Sequence, residues 1–143
     1  DMSSNPELSI LLIEDDDVAA EAVVRGLRKH SISYPIVVAE DGREALDILR
    51  GTHATQKIEK PYLALLDLNM PRMSGTEFLQ ELRVDPQLHA TVVFVLTTSG
   101  ADKDRARAYQ HNVAGYMVKS ALGPQCSRLA KFLCEYQATV LLP

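Results

Sequence analysis

The chain has no long basic run, no apolar stretch near the length of a membrane span, and only two cysteines in 143 residues. Fifteen Lys and Arg against nineteen Asp and Glu leave a net charge of −4, which argues against nucleic acid or an anionic membrane as the main partner. A spanning helix needs about 20 consecutive apolar residues, and none of the runs approaches that. No signal-peptide pattern opens the chain, and Asp1 before Met2 reads as a cloning remnant on a natural start. Cys126 and Cys134 fall in one helical segment. Eight helical residues hold them roughly 12 Å apart along the axis, too far for a disulfide, and the spacing is no metal motif. Two free thiols without a signal peptide lead to the expectation of a cytoplasmic protein.

What the chain does have is 46% hydrophobic and 24% charged residues, enough for one globular domain with a sizeable core. Short apolar runs alternate with helical patterns. Residues 9–13 (SILLI) end in Glu14, Asp15, Asp16 and Asp17, and Ala20, Val23, Val24 and Leu27 then recur at helical spacing over about 18–30. Ile36–Ala39 is a second strand. Asp41–Gly42 turns into a short helix stopped by Gly51, and a polar loop over 52–61 follows. Leu63, Ala64, Leu65 and Leu66 read as a strand buried on both faces and stop at Asp67. A helix carrying Phe78, Leu79 and Leu82 follows and closes at Asp85–Pro86. Residues 91–97 are a fourth buried strand. Asp102 is positioned to cap a helix to about His111, Gly115–Val118 is the fifth strand, and Leu129, Phe132, Leu133 and Tyr136 mark a last helical face.

Strand and helix alternate about five times, which predicts an α/β fold: one parallel sheet with helices on both faces. Right-handed crossovers close it most simply as a doubly wound, flavodoxin-like sandwich of strand order 2-1-3-4-5. Such a sheet gathers its strand carboxyl ends along one edge. The first strand delivers Glu14 and Asp15, the third Asp67, the fourth Thr97 and Thr98, and the fifth Lys119. Asp16 and Asp17 suit the N-terminal end of the helix that follows them. Each of the others has an ordinary explanation alone: loop capping for Asp67, β propensity for Thr97, an exposed strand end for Lys119. Glu14, Asp15 and Asp67 within a few ångströms of one another would repel, so a cation resolves the site. Oxygen ligands without nearby His or Cys suit Mg²⁺. The same acidity disfavours an FMN phosphate cradle. Asp67 is then placed to attack a phosphoryl group, with Lys119 and Thr97 on its oxygens.

IEDD at 13–16, LLDLNMPRMSG at 65–75, VLTTS at 95–99 and GYMVKS at 115–120 resemble the motif set of two-component response regulator receiver domains. The resemblance runs through nearly the whole chain in order. It implies that Glu14 and Asp15 form the acidic pair, Asp67 is the phosphoacceptor, and Thr97 and Lys119 are the switch hydroxyl and lysine. It also implies that Asn69 offers its backbone carbonyl to Mg²⁺ and that Tyr116 is the aromatic switch residue. The family's partner is a sensor histidine kinase. VVFVLTTS, AYQHNVAGYMVKS and a tail ending near LP are similar to single-domain, chemotaxis-regulator-like proteins paired with bacterial phytochrome kinases. One departure stands out: the family's proline after the lysine, in a cis peptide, is Ser120 here. A cis bond before a non-proline is costly, so the loop after Lys119 is expected to be strained or rebuilt.

Two other readings compete. A haloacid-dehalogenase-like phosphatase also uses a strand-end Asp, a hydroxyl, a Lys and Mg²⁺. It needs a second Asp two residues on, where this chain has Asn69, and its nucleophile normally ends the first strand. A receiver-shaped module acting by contacts alone would not keep the site intact. The expected organisation is a disordered 1–7, a receiver domain over 8–136 and a C-terminal arm over 137–143. The chain ends at Pro143 without an output domain, so output would be through partners or self-association. The arm puts Val140, Leu141 and Leu142 in a row with no evident home on a completed sheet. It is therefore expected to cross a symmetric partner in a homodimer built on the last helix.

Overall fold

The computed structural model describes residues 7–143; residues 1–6 of the expected N-terminal segment lie outside them. Five strands, β1 (Ser9–Ile13), β2 (Ile36–Ala39), β3 (Tyr62–Leu66), β4 (Val93–Thr97) and β5 (Gly115–Val118), alternate with five helices. The helices are α1 (Asp17–Lys29), α2 (Gly42–Arg50), α3 (Gly75–Val84), α4 (Asp102–Gln110) and α5 (Ser127–Thr139). All strand pairs are parallel, in the order β2-β1-β3-β4-β5, as the alternation predicts.

The central strands are apolar throughout because both of their faces are covered. Leu11, Ile13, Ala64, Leu66, Val93 and Val95 pack with residues of α2, α3 and α4 such as Leu46, Phe78 and Leu82. Their alternates Ile10, Leu12, Leu63, Leu65, Phe94 and Leu96 pack with Val23 and Leu27 of α1 and Leu129 and Leu133 of α5. The two-residue period of the strands thus sorts one apolar run into two cores. Helix ends follow local chemistry. Asp16 caps α1 through Val18 and Ala19 N–H groups, Asp41 caps α2, and Gly51 ends α2 at φ 77°. Ser74 and Glu77 form a reciprocal capping box on α3.

Several sequence expectations change. Ala101, not Asp102, occupies the N-cap of α4, with no side-chain cap bond. Cys126 precedes α5 rather than lying in it, in a left-handed conformation; both thiols remain free. Lys119–Ser120 is trans, Lys60–Pro61 being the cis peptide among the described residues. The chain instead runs from β5 into a 3-10 turn over Lys119–Ala121. The last helix continues to Thr139, past Tyr136 where its apolar pattern fades. Its tail also finds a home on its own domain. Leu142 packs against the α1/α5 core, and residues 140–143 line a groove with Leu8, Lys60 and Pro61. Of the three apolar residues Val140, Leu141 and Leu142, only Leu141 is exposed, at 82%.

Candidate functional site

The sheet itself fixes the acidic centre. Beyond the last paired residues of β1 and β3, the Asp67 N–H donates to the Ile13 carbonyl at 3.0 Å and the Glu14 N–H to the Ala39 carbonyl at 2.9 Å. Both carboxylates therefore leave backbone still held in the ladder. Glu14 and Asp67 are buried and Asp15 is half-buried. One carboxylate oxygen from each of Glu14, Asp15 and Asp67 lies within 4.8 Å of the others. Among the described residues this is the one group of three or more such side chains able to hold a metal ion.

Lys119 arrives from the end of β5 and donates to Glu14 Oε1 at 2.5 Å. Glu14 is thus paired, which the sequence reading of mutually unpaired carboxylates did not include. Burial raises the Glu14 pKa; the Lys119 hydrogen bond opposes that rise, and nearby Asp67 adds to it. One ammonium against three carboxylates leaves a surplus of negative charge. The donor set is all oxygen with no imidazole or thiolate, which fits a hard divalent cation. Asp67 Oδ1 also accepts from the Asn69 N–H at 3.2 Å, so Asn69 stays beside the site by its backbone while its side chain is exposed.

Thr97 is fully buried and opposite Val118 in the β4–β5 register, one residue before Lys119. Its hydroxyl accepts weakly from the Ser99 N–H at 3.5 Å. Tyr116 is half-buried against the α2/α3/α4 core, and its hydroxyl donates to the Ser99 carbonyl at 2.8 Å. Burial pushes that hydroxyl's pKa up, with the Asp104 carboxylate adding to the effect. All seven sequence-selected residues lie on the strand carboxyl edge or on the strand beside it. Ser99 escaped the sequence reading. It touches Thr97, Tyr116 and α4, where its hydroxyl donates to Asp104 Oδ2 at 2.7 Å. No sequence signal set it apart, since Asp102 was the expected cap of the helix that follows. Also missed was Arg72, whose guanidinium pairs with the buried Asp41 carboxylate and ties the β3–α3 loop to the cap of α2.

Comparison with known proteins agrees with this geometry. The family model for the response regulator receiver domain matches residues 10–126. Response regulator Rcp1 of Synechocystis sp. is 35% identical over 117 residues, covering 82% of this chain and 80% of Rcp1. The crystal structure of the Mn²⁺-bound form of Rcp1 superposes with a TM-score of 0.80 at 32% identity, covering 96% of this chain and 99% of that one. The phosphorylated cyanobacterial phytochrome response regulator RcpA gives 0.82 at 32% identity, with the same coverage. No helix among the described residues is long and apolar enough to cross a membrane. With its motifs, strand order and carboxylate cluster all in place, the chain belongs to the response regulator receiver domain family.

Proposed function

We propose that the chain accepts a phosphoryl group on Asp67 from a sensor histidine kinase, in a Mg²⁺-dependent reaction, and signals through the resulting change of shape. The observation that carries this reading is the convergence of Glu14, Asp15 and Asp67 within 4.8 Å with Lys119 on Glu14. An Asp67 carboxylate oxygen attacks phosphorus, the bond from phosphorus to the donor's nitrogen or oxygen breaks, and the leaving group departs with that electron pair. Glu14, Asp15 and Asp67, with the Asn69 carbonyl, would hold the metal. Bound there, Mg²⁺ would supply positive charge to the phosphoryl oxygens as they approach three carboxylates. The Lys119 ammonium neutralises one phosphoryl oxygen, and the Thr97 hydroxyl donates to another. Burial of Asp67 and Thr97 keeps these interactions strong by limiting water.

Similarity to the cyanobacterial phytochrome response regulator RcpA supports a bacterial phytochrome as the kinase; a chemotaxis-type kinase is the alternative partner. Phosphotransfer from purified kinases of both kinds, compared at early times, discriminates them: preference for the chemotaxis-type donor would refute the phytochrome assignment. The phosphatase alternative loses its support with the family assignment and with Asn69 where a second acid is required. Self-association through α5 and the arm is also proposed, resting on the exposed Leu141, although Leu142 is already spent on its own core. Deletion of 138–143 is expected to convert dimer to monomer in analytical ultracentrifugation. A full-length chain that stays monomeric at high concentration, phosphorylated or not, overturns this part.

A further inference from the structure

We infer that Ser99 is the positioning residue through which occupancy of Asp67 reaches α4, by way of its side-chain bond to Asp104. The inference rests on the proposed phosphoacceptor role of Asp67 and adds the route by which α4 responds.

Helix α4 is weakly attached. Ala108 is its one buried residue, and its N-cap, Ala101, offers no side-chain bond. The first-turn N–H groups of a helix need acceptors, and Ser99 partly replaces the missing cap. Its hydroxyl oxygen accepts from the Ala101 N–H at 3.3 Å while its hydrogen goes to Asp104 Oδ2 at 2.7 Å. That is a charge-assisted bond and the stronger of the two. The exposed Arg105–Asp102 pair lies within the helix and does not connect it to the sheet.

The same residue is bound on its other sides. Its N–H reaches the Thr97 hydroxyl at 3.5 Å, the loosest bond of the set, and its carbonyl accepts from Tyr116 at 2.8 Å. A Thr97 hydroxyl that turns to a phosphoryl oxygen alters the weak bond first. The strong bonds to Asp104 and Tyr116 then carry Ser99's displacement to α4 and β5 together. A loop merely tethered to the helix backbone would pass on far less, because Thr98 and Gly100 on either side are exposed.

The test uses full-length, isotope-labelled protein with Mg²⁺ and beryllofluoride, following backbone amides at 67–69 and at 102–110. Wild type should respond in both regions. In Ser99→Ala and in Asp104→Ala, which removes the acceptor outright, the 67–69 response should persist while the α4 response falls to roughly half or less. Ser99→Thr should restore it, and the double variant should lose no more than either single one. A purely structural role for Ser99 would shift α4 amides without ligand and leave the ligand-induced difference unchanged. An undiminished α4 response in Ser99→Ala, or in Asp104→Ala, overturns the inference but leaves the phosphoacceptor reading standing. A wild-type chain whose 67–69 amides ignore beryllofluoride overturns both.

Discussion

Gly75→Ala is a one-methyl change aimed at the loop that carries the proposed phosphoacceptor, and its consequences can be worked out from the contacts. Gly75 opens α3, and its N–H donates to the Leu68 carbonyl at 3.0 Å. An ideal Cβ at 75 would sit 2.7 Å from the Leu68 Cα, 2.8 Å from the Asp67 carbonyl oxygen and 3.0 Å from Leu68 Cδ2. Two of these three atoms are backbone, of Asp67, the proposed phosphoacceptor, and of its neighbour Leu68. Comfortable separation is about 3.5–4.0 Å, so the loop must retreat by close to 1 Å. Overpacking of this kind costs about 1–3 kcal/mol, offset by up to about 1 kcal/mol from alanine's better helix propensity. The net expectation is about 1–2 kcal/mol of destabilisation in urea unfolding. Misplacing a reacting group by about 1 Å can cost on the order of 100-fold in rate. Phosphorylation by acetyl phosphate should therefore fall far more than stability does. Gly100→Ala is the matched control, since its Cβ would meet only Val118 Cγ2, at 3.8 Å. Wild-type phosphorylation and stability in Gly75→Ala would refute the reasoning.

Arg83 donates to four carbonyls, those of His111, His89, Thr91 and Asn112, at 2.7–3.0 Å, and burial lowers its pKa. Arg83→Ala should cost about 2–4 kcal/mol in denaturant unfolding, and Arg83→Lys should recover less than half, because a point ammonium cannot fork to four acceptors. The raised Glu14 pKa has a definite sign: in metal-free buffer its contribution is complete below the ordinary Glu range and is lost as pH rises through the raised value. Glu14→Gln should flatten that decline in thermal midpoint, and an unchanged profile would contradict it. Asp15→Asn should weaken Mg²⁺ binding and phosphorylation together; calorimetric Mg²⁺ affinity equal to wild type would remove Asp15 from the metal set.

The architecture was legible because its signals are local and repeated. Apolar runs such as 9–13 and 63–66 end abruptly in carboxylates, and Asp41 and Gly51 punctuate the second helix as capping chemistry dictates. The site residues were legible through topology: once the strands are parallel, Glu14, Asp15, Asp67, Thr97 and Lys119 must share an edge. What remained hidden depends on side-chain reach. Nothing in Glu14 announces that Lys119, 105 residues on, will occupy its Oε1, nor in Arg72 that it will reach back to Asp41. Ser99 looks like one more loop hydroxyl until its four bonds are traced. The tail's place on its own domain was hidden for the same reason, since the groove it lines is assembled with Leu8, Lys60 and Pro61, far from it in sequence.

The central claim is the chemistry of Asp67, and mapping the phosphorylated residue tests it most directly. Full-length protein is incubated with Mg²⁺ and acetyl phosphate, and the product is treated with borohydride, which reduces an acyl phosphate to an alcohol, before peptide mass analysis. A single modification at Asp67 is expected, base-labile before reduction, absent from folded Asp67→Ala and abolished by chelation of the metal. A label on Ser74 or Thr97, or one that persists in Asp67→Ala, would contradict the assignment.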